Sequence, residues 1–147
     1  MSHYAVVVIA ISAVVVSVWQ VKLAQTHNRL SVRPYMDFFS GYVDNDNHWQ
    51  ITLSNEGVGP AILQSTEFTY QGKTYYTWDE VMTAANLNDY RRGGVTFSKD
   101  SPFAVGKTVI FIRLLRAEEH LRGDLGIDVK IKYESIYGES FELPMSF

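Results

Sequence analysis

Eighteen consecutive residues, Tyr4 to Val21 (YAVVVIAISAVVVSVWQV), contain no Asp, Glu, Lys or Arg, and every such side chain in the protein lies after them. As a helix rising about 1.5 Å per residue, the run reaches roughly 27 Å, just under the thickness of a bilayer's hydrocarbon core. Continuation to Leu23, with the Lys22 ammonium snorkelling to the surface, closes that shortfall. Val and Ile are mediocre helix formers in water. In lipid that preference is overruled, because only a helix pairs every backbone group locally. Tyr4 and Trp19 stand near the two ends, where amphipathic rings prefer the headgroup level. The run reads as a membrane-spanning helix.

Three other readings of the run fit less well. A removable signal peptide needs a basic start, a shorter apolar core and small residues before the cut, whereas this chain starts Met-Ser-His and carries Lys22 before Ala24. A core segment of a soluble protein is rarely so long and so uniformly apolar. Ala10, Ala13 and Ser17 share a face at helical spacing and could form a dimer seam, although small residues are also simply tolerated in lipid. Orientation follows from the basic flank. None precedes the span, while Lys22, Arg29 and Arg33 follow it, with His27 among them, which places the C-terminal domain in the cytoplasm. An uncleaved export signal with the domain outside is the alternative.

Residues 1–28 thus read as anchor and juxtamembrane stalk, and residues 29–147 as one domain large enough for its own core. The net charge of −3 gives no bulk electrostatic pull toward nucleic acid. With no cysteine, disulfides, thiolate catalysis and cysteine metal sites are excluded together.

After the stalk the pattern is mainly β. Ser31 to Phe39 suits a first strand, and Pro34 argues for an edge or a strand start. Residues 44–47 make an Asx-rich turn. Trp49, Ile51 and Leu53 then alternate with Gln50, Thr52 and Ser54, the signature of a half-buried strand. An extended stretch runs from Ile62 to Tyr70, and Gln71-Gly72-Lys73 connects it to Thr74–Tyr76. Thr77 and Glu80 have capping-box spacing, which predicts a helix over Trp78–Leu87. Arg91-Arg92-Gly93-Gly94 reads as a loop, Val95–Ser98 as a short strand, and Asp100-Ser101-Pro102 as a turn. Lys107–Leu115 is a nearly unbroken apolar strand, and a helical turn is expected over Glu118–Arg122. Ile127, Val129, Ile131 and Tyr133 alternate with charged residues, and Tyr137-Gly138-Glu139 carries a last hairpin into Phe141 and Leu143. Some seven short strands with one inserted helix predict an immunoglobulin-like antiparallel β-sandwich behind an N-terminal transmembrane helix.

The apolar span, then His27–Pro34 (HNRLSVRP), Asn55–Ala61 (NEGVGPA) and Tyr133–Gly138 (YESIYG) together resemble uncharacterised bacterial membrane-anchored proteins that carry one N-terminal span and a small β-sandwich. The resemblance covers most of the chain and implies a single-pass protein of the bacterial inner membrane. Its motifs are turns and strand ends, so it implies architecture and leaves the function open.

A search for chemistry yields little. Asp44, Asp46 and His48 invite a calcium loop, but the sixth and twelfth positions hold Trp49 and Asn55 where Gly and Glu are required. Gly57-Val58-Gly59-Pro60 lacks the third glycine or the Lys-Ser/Thr pair of a phosphate cradle and reads as a strand-to-strand turn. There is no Gly-x-Ser-x-Gly elbow or paired-His zinc motif, His27 and His120 read as solvated, and Glu118-Glu119-His120 cannot share a helix face. No catalytic role, metal or cofactor is expected. What remains is an aromatic group, Tyr70, Tyr75, Tyr76, Trp78 and Tyr90, beside Arg91 and Arg92. These rings either pack the inserted helix onto the sandwich or form a contact patch, since aromatic and Arg side chains dominate binding hot spots. The expectation is an interaction module docking a partner protein at the membrane surface through Tyr75, Tyr76, Trp78, Arg91 and Arg92, with residues 4–21 in lipid. A small-ligand sensor and an accessory subunit of a larger membrane complex are the alternatives.

Overall fold

The computed structural model describes residues 3–43, 48–115 and 125–146. The turn at 44–47, with the first two residues of the calcium reading, and the helical turn at 118–122, with His120, lie outside the described residues. The chain divides into two compact units, Met1–Val32 and Arg33–Phe147.

The first unit is one α-helix, α1 (His3–Ser31), with no buried residue and a length and apolarity sufficient to cross a membrane. Ser12 donates to the Val8 carbonyl and Ser17 to the Ala13 carbonyl, each at 2.8 Å, so neither hydroxyl is left unpaired on the helix surface. Ser31, expected to open a strand, instead closes this helix.

The second unit is mainly β. Its strands are β1 (Met36–Val43), β2 (His48–Asn55), β3 (Ala61–Tyr70), β4 (Lys73–Tyr75), β5 (Arg91–Gly94), β6 (Ser101–Phe103), β7 (Thr108–Leu115), β8 (Ile127–Ser135) and β9 (Ser140–Ser146), with helix α2 (Trp78–Ala84) between β4 and β5. They form two antiparallel sheets. One has the order β1-β2-β7-β5; the other has β4-β3-β8-β9, with β6 also paired to β3. The alternation along β8 is realised side chain by side chain: Ile127, Val129, Ile131 and Tyr133 are buried, while Asp128 and Lys130 are exposed. Gln71 and Gly72 both take positive φ (48° and 76°), the backbone that a two-residue hairpin between twisted strands demands.

The two sheets share one core, and Phe111 on β7 is its hub. Its ring lies 5.2 Å from Phe38, 5.1 Å from Trp78, 6.2 Å from Phe68 on the opposing sheet, and 6.3 Å from Phe97. Val95–Ser98, expected as a strand, forms no ladder; it is held instead by Phe97 and by the Val95 amide donating to the Phe111 carbonyl at 3.2 Å. Arg91–Gly94, expected as a loop, is a strand. Gly94 permits it, because a Cβ there would lie 2.8 Å from the Phe111 carbonyl oxygen. Ser101 and Pro102, expected in a turn, belong to β6, and the turn sits one step earlier at Asp100, with φ of 62°.

One end of the sandwich is tied by Asn55, which is 0% exposed. At this end, termed proximal because the chain enters the second unit here, β1 begins, β2 ends, β3 and β7 begin, and the β8–β9 hairpin turns. The Asn55 Oδ1 accepts from the amides of Tyr35 (3.2 Å) and Gly57 (3.0 Å), and its Nδ2 donates to the carbonyls of Gly59 (2.9 Å) and Phe103 (3.3 Å). Its own backbone pairs with Lys107 and Gly106. Gly57 completes the arrangement, since a Cβ there would meet the backbone of Arg33, Pro34 and Tyr35. Gly57 therefore serves close backbone approach, and the Gly59 carbonyl is taken by the Asn55 amide.

Tyr133 holds β1 to β8 by accepting from the Met36 amide at 3.4 Å. Burial raises its phenol's pKa above the ordinary tyrosine value, outweighing the opposing effects of the Met36 hydrogen bond and the Arg33 charge.

Phe111→Ala lowers the unfolding free energy by about 3–5 kcal/mol, and Asn55→Ala by at least about 2 kcal/mol as buried backbone groups lose their partners. Both are read from denaturant unfolding of the detergent-solubilised chain. Because folding holds the Tyr133 proton more tightly than the unfolded chain does, its stabilisation is complete below the usual tyrosine range and is lost as pH rises through and above it. Tyr133→Phe therefore shows a shallower alkaline loss of stability. Part of the loss persists, because the Glu67 hydrogen bond likewise raises the Lys132 pKa.

Candidate functional site

The aromatic and Arg group is organised by α2. Thr77 Oγ1 accepts from the Glu80 amide at 3.3 Å, and Glu80 Oε2 accepts from the amides of Thr77 (3.2 Å) and Tyr76 (2.9 Å), so the capping box expected from the spacing is complete. The helix stops at Ala84, short of Leu87. Asn86 takes φ of 58°, its amide bonds the Thr83 carbonyl, and the Leu87 amide bonds the Met82 carbonyl, a Schellman closure that ends the helix.

The structure separates the five expected contact residues. Trp78 is 1% exposed, and its ring lies 4.4 Å from Phe68 and 5.1 Å from Phe111. Its place is in the core, not on a contact surface, because the first turn of α2 points this large ring between the sheets. Tyr75 is half-buried and packs against the core, whereas Tyr76 is 62% exposed. Arg91 is half-buried and ion-paired with Asp79, while Arg92 is exposed and donates to the carbonyls of Asp89 (2.6 Å) and Arg91 (3.1 Å). The Arg91–Asp79 pair is worth little in energy, since the Asp79 side chain is 86% exposed. Its effect is to hold the Arg91 head beside the helix. Tyr75, Asp79, Glu80, Thr83 and Ala84 line a shallow open hollow of about 680 Å³.

Elsewhere, an enclosed apolar space of about 10 Å³ lies among Trp49, Trp78, Met82, Ile112, Leu114, Leu125 and Ile127, about room for one water-sized probe. Among the described residues, no three His, Asp or Glu side chains come close enough together to hold a metal ion. Glu67 and Lys132 pair across the outer face of the second sheet at 2.7 Å, and Lys130 and Glu142 at 3.4 Å. No family model, curated protein or solved structure matches the chain.

Sequence reasoning missed a second surface. Tyr35, Val58, Val105, Ile136 and Tyr137 are exposed apolar side chains, each in a loop or turn of the proximal end. Each looks unremarkable in its own segment, and only the register of β1, β2, β3, β7 and β8 brings the segments to one end.

Trp78→Ala costs about 3–5 kcal/mol of stability and Thr77→Ala about 1 kcal/mol, while Arg91→Ala stays within about 1 kcal/mol of the parent. Thermal and denaturant unfolding of the three variants gives the ranking.

Proposed function

We propose that this protein is a membrane-tethered β-sandwich of immunoglobulin-like type that docks a partner protein through the surface around α2. The strand orders β1-β2-β7-β5 and β4-β3-β8-β9 support the first half, for they correspond to an A-B-E-D sheet facing a C′-C-F-G sheet. The resemblance to bacterial single-span proteins supports reading the tether as a bacterial inner-membrane anchor. The basic flank of Lys22, Arg29 and Arg33 supports the cytoplasmic side for the sandwich over the alternative of an exported domain.

The observation that carries the docking surface is the shallow hollow beside α2. It is floored by a helix whose Trp78 is locked in the core, and it is flanked in sequence by exposed Tyr76 and by Arg91 held in its ion pair. A rigid floor with a projecting aromatic and a preset guanidinium is the arrangement that binding hot spots favour. Tyr75, Tyr76, Arg91 and Arg92 are the contact residues in this reading, and Trp78 supports them from beneath. The small-ligand alternative is less well supported, because a small-ligand site encloses most of its ligand's surface and the hollow beside α2 is shallow and open. An accessory-subunit role uses the same surface and differs only in the permanence of the complex.

The test is affinity capture of the tagged full-length chain in mild detergent, beside the Tyr76→Ala/Arg92→Ala double variant. A protein recovered in stoichiometric amount with the parent should bind the variant at least about thirtyfold more weakly, the equivalent of a hot-spot loss of about 2 kcal/mol. The variant's unfolding curve should be unchanged. Equal capture by parent and variant would remove the α2 surface from the interface.

A further inference from the structure

Seven large apolar side chains of the second unit are exposed among the described residues: Tyr35, Phe39, Val58, Tyr76, Val105, Ile136 and Tyr137. Five of them, between 49% and 66% exposed, sit at the proximal end, and no loop there lacks one. Tyr35 is in the segment leading into β1, Val58 in the β2–β3 loop, Val105 in the β6–β7 turn, and Ile136 and Tyr137 in the β8–β9 hairpin. Loop tips are ordinarily polar, because they face water and carry turn-forming side chains. Four separate segments each presenting apolar side chains at one end of a sandwich together offer a surface suited to an apolar partner.

The segments are also rigid with respect to one another. Asn55 bonds the Tyr35 amide, the Gly57 amide and the Phe103 carbonyl. The Val58 amide donates to the Arg33 carbonyl at 3.1 Å. The hairpin is held by Ser135, whose Oγ accepts from the amides of Tyr137 and Glu139. Their charges cancel: Arg33 and Lys107 against Glu56 and Glu139. Both cations lie over rings, Arg33 at 4.9 Å from Phe141 and Lys107 at 5.1 Å from Phe103. The four segments are thus apolar at their tips and electrically balanced among themselves.

The chain itself says what that partner is. This end is the one from which the polypeptide continues back to α1, and only Lys22 to Val32 separate it from the apolar run. Eleven residues in helical form reach about 16 Å. A tether that short keeps lipid at a far higher effective concentration around this end than any diffusing partner. Tyr is also a residue type that partitions to the headgroup level. We infer that the proximal end of the sandwich seats on the bilayer, with Tyr35, Val58, Val105, Ile136 and Tyr137 entering the lipid interface. The α2 surface is left to the aqueous side, since β4, which leads into it, pairs with the far end of β3. The inference rests on α1 spanning the bilayer. It differs from the docking reading, which concerns other residues.

The chain has no cysteine, so single Val58→Cys, Val105→Cys and Ile136→Cys variants can each carry one environment-sensitive fluorophore. Lys73→Cys at the far end and Val14→Cys within α1 serve as controls. Full-length protein is reconstituted at low density into phosphatidylcholine vesicles, with and without phosphatidylglycerol. It is then challenged with a lipid-borne nitroxide and, separately, with aqueous iodide. The expected result is blue-shifted emission at the three tips, lost to the nitroxide and spared by iodide, with the reverse at position 73. Because the four segments carry no net charge, phosphatidylglycerol should change nothing. Tips that behave like position 73, while the Val14 label is quenched from lipid, would overturn the seating and leave the anchor standing. A Val14 label quenched by iodide would overturn both. Protection from both quenchers that grows with protein density would assign the end to a second copy of the chain instead. Quenching from lipid only when phosphatidylglycerol is present would replace insertion by charge attraction; either result overturns the inference.

Discussion

A fully buried primary amide has four hydrogen-bonding positions, and in Asn55 all four are used on backbone groups of three different segments. The geometry of the proximal end depends on this. An unpaired amide in the interior costs more than the bond it would have made, so the arrangement is close to all-or-none. Gly57 is the steric counterpart, because the backbone of Arg33–Tyr35 occupies the space where any side chain would begin. Together the two residues determine where the chain leaves the stalk and starts the first strand, and they determine which loops stand side by side.

The second constraint is the ring packing around Phe111. A seven-residue helix is too short to persist in water on its propensity alone. α2 persists because Trp78 is drawn between Phe68 and Phe111, with the capping box and the Schellman closure satisfying its two ends. The same packing decides what the nearby aromatics can do. Trp78 is committed to the core, Tyr75 is shared between core and surface, and Tyr76 alone of the three projects into solvent. A hollow with a fixed floor is the result, and its stiffness is the physical basis for the docking role proposed for it. With the proximal end on lipid, that hollow would face water, so the two proposed surfaces do not compete.

Much of the architecture was legible because it is written in local patterns. Period-two alternation identified β2 and β8, the Gln71-Gly72 pair identified a hairpin, and Thr77 with Glu80 identified the start of α2. The errors share a cause. Arg91–Gly94 has no alternation and two glycines, yet it pairs with β7 because Gly94 lets two backbones approach. Val95–Ser98 has strand-like residues but only the Val95 amide pairs with β7, and the Phe97 ring turns into the core instead. The helix end was misplaced because Asn86 acts through its left-handed backbone, which a run of helix-compatible residues conceals. In the candidate site, an aromatic cluster could be recognised by composition, but one ring could not be told from the next.

The sequence by itself determined the apolar helix, the mainly β domain behind it, and the exclusion of disulfide and thiolate chemistry. Each of these depends on side-chain type or on neighbours a few residues apart. Tertiary structure alone decided that Trp78 is core while Tyr76 is surface. It also decided that Asn55 is a buried tie, and that Tyr35, Val58, Val105, Ile136 and Tyr137 share one end. Those outcomes depend on the register between strands far apart in sequence, and register is selected by the packing of the whole core at once, not by any segment in isolation.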